Sequence, residues 1–171
     1  IGASERENSV DSVIFKNILD SGSKGRLYAI NPKHETIQGV QSHASIEEIG
    51  ARVELAVICT RPQAVPLIVE QCGRSGIKNV IVITSGFAEA GHSGAALERK
   101  MLEIARSYNV RVLGPNCLGI IRPLLGLNAT FAKVTANVGN LALVSQSGAM
   151  CSAVLDWAKS NNVGFSSVIS L

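Results

Sequence analysis

Apolar and polar positions fall into two alternating patterns along this chain. Residues 54–60, ELAVICT, and 79–84, NVIVIT, are apolar on successive positions. Such runs read as strands buried on both faces. Residues 27–30 and 110–113 read as shorter strands of the same kind, and Ile1 reads as the end of another. Between them the apolar positions change to helical spacing. Val10, Val13, Ile14 and Ile18 form one stripe, closed by Gly22 and Gly25. Val65, Ile68, Val69 and Cys72 form a second, which Pro62 can begin and Gly73 and Gly76 close. Leu97, Met101, Ile104, Ala105 and Tyr108 form a third.

Doubly buried strands separated by amphipathic helices predict an α/β fold, a Rossmann-like doubly wound parallel sheet with ligands at the carboxyl ends of its strands. Residues 121–139 break the pattern and read as an irregular interdomain segment. A strand–turn–helix unit then restarts, with Cys151, Val154, Leu155 and Ala158 on the helix and FSSVISL as a following strand. The expected organisation is therefore a first domain over residues 1–136 and the beginning of a flavodoxin-like α/β domain over 137–171. Both ends of the chain read as cut inside strands.

Composition narrows the function classes. Aromatic residues make up 4% and net charge is +3 without a basic run, which excludes a stacking or duplex-binding nucleic-acid surface. A polyanionic small molecule remains compatible with that charge. Cysteines 59, 72, 117 and 151 show neither C-x-x-C nor close Cys/His spacing, so no metal site is expected. They read as reduced thiols in a cytoplasmic protein. No run approaches the roughly 20 apolar residues of a membrane span.

The strand ends carry the candidate chemistry. After Ile1, Gly2 permits close backbone approach, Ser4 offers a hydroxyl, and the amides of the next helix suit an anion. After the second strand comes INPKHE. Lys33 stands where an NAD site would carry an acid, which suits a phosphate instead. An ordinary turn with a solvated lysine is the alternative. Thr60 and Arg61 at the third strand end can border a nucleotide, or Arg61 can simply be solvated. Ser85-Gly86 makes a narrow turn, and His92 beyond it reads as a loop residue like His34 and His43. Then comes Gly114-Pro115-Asn116-Cys117-Leu118-Gly119. Its thiol is either a nucleophile or part of a rigid turn around something arriving from outside. No histidine is placed to activate it, which favours a packed thiol. Ser145, Gln146, Ser147 and Gly148 precede a helix and make an anion site, a cap by Ser147, or both.

The segments IGAS, INPKHETIQGV, SGFAEAG, GPNCLGII, GLNATFA and ALVSQSGAM…LDWA, in this order, resemble the NDP-forming acyl-CoA synthetases. The same region occurs in protein lysine acetyltransferases fused to an acetyltransferase domain. More distantly it is similar to the succinyl-CoA ligase α subunit. The resemblance implies coenzyme A or acyl-CoA as ligand. Gly2, Ala3 and Ser4 would cradle its phosphates, and Asn31, Pro32 and Lys33 would hold the nucleotide phosphate end. Thr60 and Arg61 would border adenosine, Ser85 and Gly86 would flank the pantetheine arm, and Asn116 would position the acyl group near the thiol. Ser145–Gly148 would face a travelling phosphate.

The resemblance also implies that acid, CoA and ATP give acyl-CoA, ADP and phosphate through an acyl phosphate and a phosphohistidine. The catalytic histidine, ATP/ADP and Mg2+ would belong to other domains of the same chain, so no catalytic residue is expected here. A homo-oligomer is compatible with this assembly. Asp11 departs from the pattern, standing where relatives commonly carry glycine. Its carboxylate suits the helix dipole but would repel phosphate if it faced inward. A CoA-sensing acetyltransferase region is the alternative function. An NAD-binding module fits poorly, lacking the glycine fingerprint and the ribose acid.

Overall fold

The apolar run of residues 54–60 forms its ladder where its neighbours are equally apolar. In the computed structural model, which describes residues 1–171, β4 (Ala56–Ile58) pairs in parallel with β5 (Asn79–Val82), and β5 with β6 (Arg111–Leu113). Earlier in the chain β1 (Ala29–Ile30) pairs in parallel with β3 (Val40–His43), and β2 (Thr36–Ile37) turns back antiparallel onto β3.

Residues 1 and 2 join these two groups. The Ile1 nitrogen donates to the Val57 carbonyl at 2.6 Å, the Cys59 amide donates to Ile1 at 3.0 Å, and the Gly2 amide donates to Ile30 at 2.9 Å. The resulting order is β2-β3-β1, then Ile1–Gly2, then β4-β5-β6. The chain thus winds outward in both directions from Ile1–Gly2, as in a doubly wound sheet, and the crevice of such a sheet lies beside the reversal point. Helices α2 (Val65–Arg74) and α3 (His92–Ser107) pack together over a core of Val65, Val69, Cys72, Val80, Val82, Phe87 and Met101.

The chain divides into two compact units. The first comprises residues 1–4 and 28–116, and the second residues 5–27 and 117–171. This partition differs from a cut after residue 136, for two physical reasons. Helix α1 (Val10–Asp20) is held to β8 (Leu127–Thr130), where the Asn17 Nδ2 donates to the carbonyls of Thr130 at 2.8 Å and Ala132 at 3.0 Å. Strand β7 (Gly119–Arg122) pairs antiparallel with both β8 and β10 (Gly164–Ser170).

Residues 121–139, expected to be irregular, instead form the β7–β8 hairpin and enter β9 (Asn137–Ser145). The second unit's sheet, in the order β8-β7-β10-β9, is mixed rather than wholly parallel, with only β9 and β10 parallel. Helix α4 (Gly148–Ser160) covers it through Cys151, Leu155 and Ala158, which pack with Leu118, Ile121, Phe165 and Val168.

Candidate functional site

The first unit brings together, through direct contacts, residues from each expected strand end. Gly2 has φ +83°, and a Cβ there would lie 2.8 Å from both the Cys59 carbonyl oxygen and Thr60 Cγ2. Only glycine fits that backbone and that spacing without displacement. Ala3 follows, and its carbonyl accepts from Asn31 Nδ2 at 2.7 Å. The same carboxamide accepts from the Lys33 amide at 2.9 Å, closing an Asx turn around Pro32. The Asn31 amide is held by the His43 carbonyl and by Ser42 Oγ, at 3.0 and 3.1 Å. Asn31 therefore ties the first strand end to the second and sets where Lys33 emerges.

A second set of bonds ties the next strand ends. Thr84 Oγ1 donates to the Thr60 carbonyl at 2.9 Å, and the Thr84 carbonyl accepts from the Asn116 amide at 3.0 Å. Gly86, at φ +100°, lies against Pro62, with a Cβ position 3.0 Å from its Cγ. Gly2, Thr60, Thr84 and Asn116 are thus linked across the carboxyl ends of the parallel strands. Lys33 and Arg61 are exposed and make no ion pair. The one carboxylate beside these strand ends, that of Glu89, is engaged by the Gly86 and Phe87 amides, so glycine-lined backbone with uncommitted cations fits a slender polyanion.

Cys117 belongs to the second unit and is 3% exposed. Burial pushes its thiol up to about 11, against smaller opposing backbone hydrogen bonds. Such a thiol is protonated at neutral pH and packs as an apolar group. Burial likewise raises Cys72 to about 11, while Cys59 is only half-buried. His92 is the exposed first residue of α3, and the His43 and Tyr28 rings meet at a 58° tilt with centroids 5.9 Å apart.

In the second unit, Ser147 caps α4 by accepting from the Met150 amide at 3.2 Å, and Ser145 Oγ accepts from the Ser147 amide at 3.0 Å. Gly148 and Ala149 follow the cap as the first two residues of α4, where helix amides have no intrahelical acceptor. Gln146 is exposed beside them. Asp11 is paired with Arg6 at 3.6 Å, and its side chain is only 12% exposed. Its charge is therefore compensated within its own unit.

Thr84, Ser42 and Glu89 were not anticipated. Ser42 lies in β3 and Thr84 just beyond β5; their hydroxyls cross-link strand ends, and no pattern marks them. Glu89 had a signal, since G-F-A-E places an acid three residues after Gly86, the spacing of a capping box.

The family model described as a CoA binding domain matches residues 1–123, and that of a succinyl-CoA ligase like flavodoxin domain matches residues 138–171. The ADP-forming acetate–CoA ligase I of Archaeoglobus fulgidus is 46% identical over 171 residues, covering 100% of this chain and 25% of its own length. The ADP-forming 4-hydroxybutyrate–CoA ligase of Nitrosopumilus maritimus is 42% identical over 173 residues, covering 100% of this chain and 25% of its own. The chain thus spans about a quarter of the length of these curated relatives. The structure of the Ca. Korarchaeum cryptofilum dinucleotide forming acetyl-coenzyme A synthetase 1 in complex with phosphate and ADP superimposes with TM-score 0.93 at 37% identity, covering 99% of this chain and 36% of that one.

Proposed function

Because this chain belongs to the CoA binding domain family, we propose that it is the coenzyme A-holding part of an ADP-forming acyl-CoA synthetase. The observation that carries the reading is the linked set of strand ends at the reversal point of the sheet, where Gly2 leaves no room for a side chain and two cations lack partners. The relatives' named activities support ligation over the acetyltransferase alternative. Asn31-Pro32-Lys33, standing where a ribose-binding acid would be, weighs against NAD.

Coenzyme A supplies a thiol that accepts the acyl group. The residues here bind and orient it. Gly2, Ala3 and Ser4 admit the diphosphate close to backbone, which favours an anion near oriented N–H groups. Lys33, placed by the Asn31 turn, meets the ribose phosphate as a point charge. Thr60 and Arg61 border adenosine, and Ser85 and Gly86 flank the pantetheine arm. Asn116 has φ +56° and its amide fixed to Thr84, so its exposed carboxamide can donate to an acyl carbonyl as charge develops there. The turn at Ser145–Gly148 would take a phosphate at the start of α4.

In this proposal residues 1–136 form the CoA-binding domain and residue 137 begins the flavodoxin-like one, a division that the separately matched segments support. ATP, ADP and Mg2+ would be handled elsewhere in the protein, together with the phosphorylated histidine. The partners would be CoA or acyl-CoA and those other domains, in a cytoplasmic assembly open to homo-oligomers. No helix is long and apolar enough to cross a membrane.

Calorimetry with Lys33→Ala tests the assignment. The variant should lose about tenfold in CoA affinity, as for one charge-assisted contact, and much less in dephospho-CoA affinity. Equal losses for both ligands would refute the role of Lys33.

A further inference from the structure

Consecutive backbone amides in a glycine-containing turn form a concavity that ordinarily attracts an anion. The turn after β5 has that form, with Gly86 at φ +100°, but its donors are already taken from within the chain. Glu89 Oε1 accepts from the Gly86 amide at 2.5 Å and its Oε2 accepts from the Phe87 amide at 3.2 Å. The next amide, of Ala88, donates to Glu98 Oε2 at 3.0 Å, which fastens the turn to α3. On the other side the Phe87 carbonyl accepts from Ala90 at 2.8 Å, and its ring is 0% exposed. Gly94 allows this approach, since a Cβ there would stand 1.8 Å from the Phe87 carbonyl oxygen.

We propose that Glu89 is a positioning residue: its carboxylate replaces a bound anion on the Gly86 and Phe87 amides, fixing Ser85 and Gly86 for the uncharged arm of the ligand and closing this turn to phosphate. The inference rests on the coenzyme A reading and deepens it. With the Gly86, Phe87 and Ala88 amides all taken, the turn suits the stretch of ligand that is neutral, which in coenzyme A is pantetheine. Partial desolvation works to raise the Glu89 carboxyl. The amides of Gly86, Glu89 and Phe87 together outweigh it and hold the group below its ordinary value, so it is charged at neutral pH.

The test compares two probes by calorimetry on the purified protein. Coenzyme A carries the arm, and adenosine 3′,5′-bisphosphate lacks it. Glu89→Ala should weaken coenzyme A about tenfold, the worth of one or two charge-assisted bonds, and leave the bisphosphate within about twofold. Glu89→Gln, keeping one acceptor oxygen, should fall between. It also carries the test if circular dichroism shows Glu89→Ala to be unfolded. Equal weakening of both probes, or unchanged coenzyme A affinity, would overturn the proposal while leaving the coenzyme A reading intact. Wild-type protein that binds neither probe would refute that reading, and this inference with it.

Discussion

Gly2→Ala puts the crowded strand end under direct test. At φ +83° an alanine pays about 1–2 kcal/mol for a left-handed backbone. Its Cβ would also sit 2.8 Å from a backbone carbonyl and from Thr60 Cγ2. The methyl of Thr60 can turn, but the Cys59 carbonyl belongs to the continuation of β4 and cannot. Relieving such an overpacked contact costs about 1–3 kcal/mol more. The sum is about 2–5 kcal/mol.

Gly39→Ala is the matched control. Gly39 has nearly the same φ, +79°, but nothing within 4 Å of its would-be Cβ, so it carries the backbone cost alone. Urea denaturation should therefore place Gly39→Ala about 1–2 kcal/mol below wild type, and Gly2→Ala a further 1–3 kcal/mol below that. Coenzyme A binding should survive the first substitution and weaken at least tenfold in the second. Equal destabilisation by the two, with binding unaffected in both, would show that Gly2 is not pressed against the β4 strand end and that the crevice argument is wrong.

Other outcomes check separate parts of the account. Asn31→Ala removes the tie between Ala3 and Lys33, so it should destabilise by about 1–3 kcal/mol and weaken coenzyme A as well, read by denaturation and calorimetry. Asn17→Ala should cost a similar about 1–3 kcal/mol by leaving the Thr130 and Ala132 carbonyls short of a donor, and coenzyme A affinity should hold in folded protein. Among the thiols, half-buried Cys59 should react first with a disulfide reagent at pH 8. Cys72 and Cys117, at about 11, should stay protonated there and react only after denaturation. Rapid labelling of Cys117 in native protein would revive it as a nucleophile.

The parts of the fold that were legible share a physical feature. Residues 80–82 are buried at successive positions, and Ala56 and Ile58 are buried beside them, so their apolar runs stand out against any background. The β7–β8 hairpin was hidden because β8 buries polar residues. Asn128 is 4% exposed and Thr130 0%, satisfied by a mutual bond at 2.7 Å. Polar letters at buried positions read as loop. The β2–β3 hairpin was hidden by brevity, since Thr36–Ile37 is too short to show a period. Helix α1 was legible as a helix, but the Asn17 bonds that tie it to β8 are not written in its apolar stripe.

At the site, strand ends could be found because they follow from the alternation of elements. The bonds that fasten them could not be. Thr84 joins Thr60 to Asn116 through one hydroxyl and one carbonyl, and a threonine just beyond a strand carries no mark of that use. Asp11 shows the converse. Its identity suggested repulsion, whereas its pairing with Arg6 depends on a side-chain conformation that spacing does not specify.

The central claim is that the strand ends of the first unit hold a slender polyanionic thiol carrier. Calorimetry of the protein with coenzyme A and with NAD, under identical buffer and salt, tests it most directly. Coenzyme A should give saturable heat and NAD none. Binding of NAD without coenzyme A would contradict it.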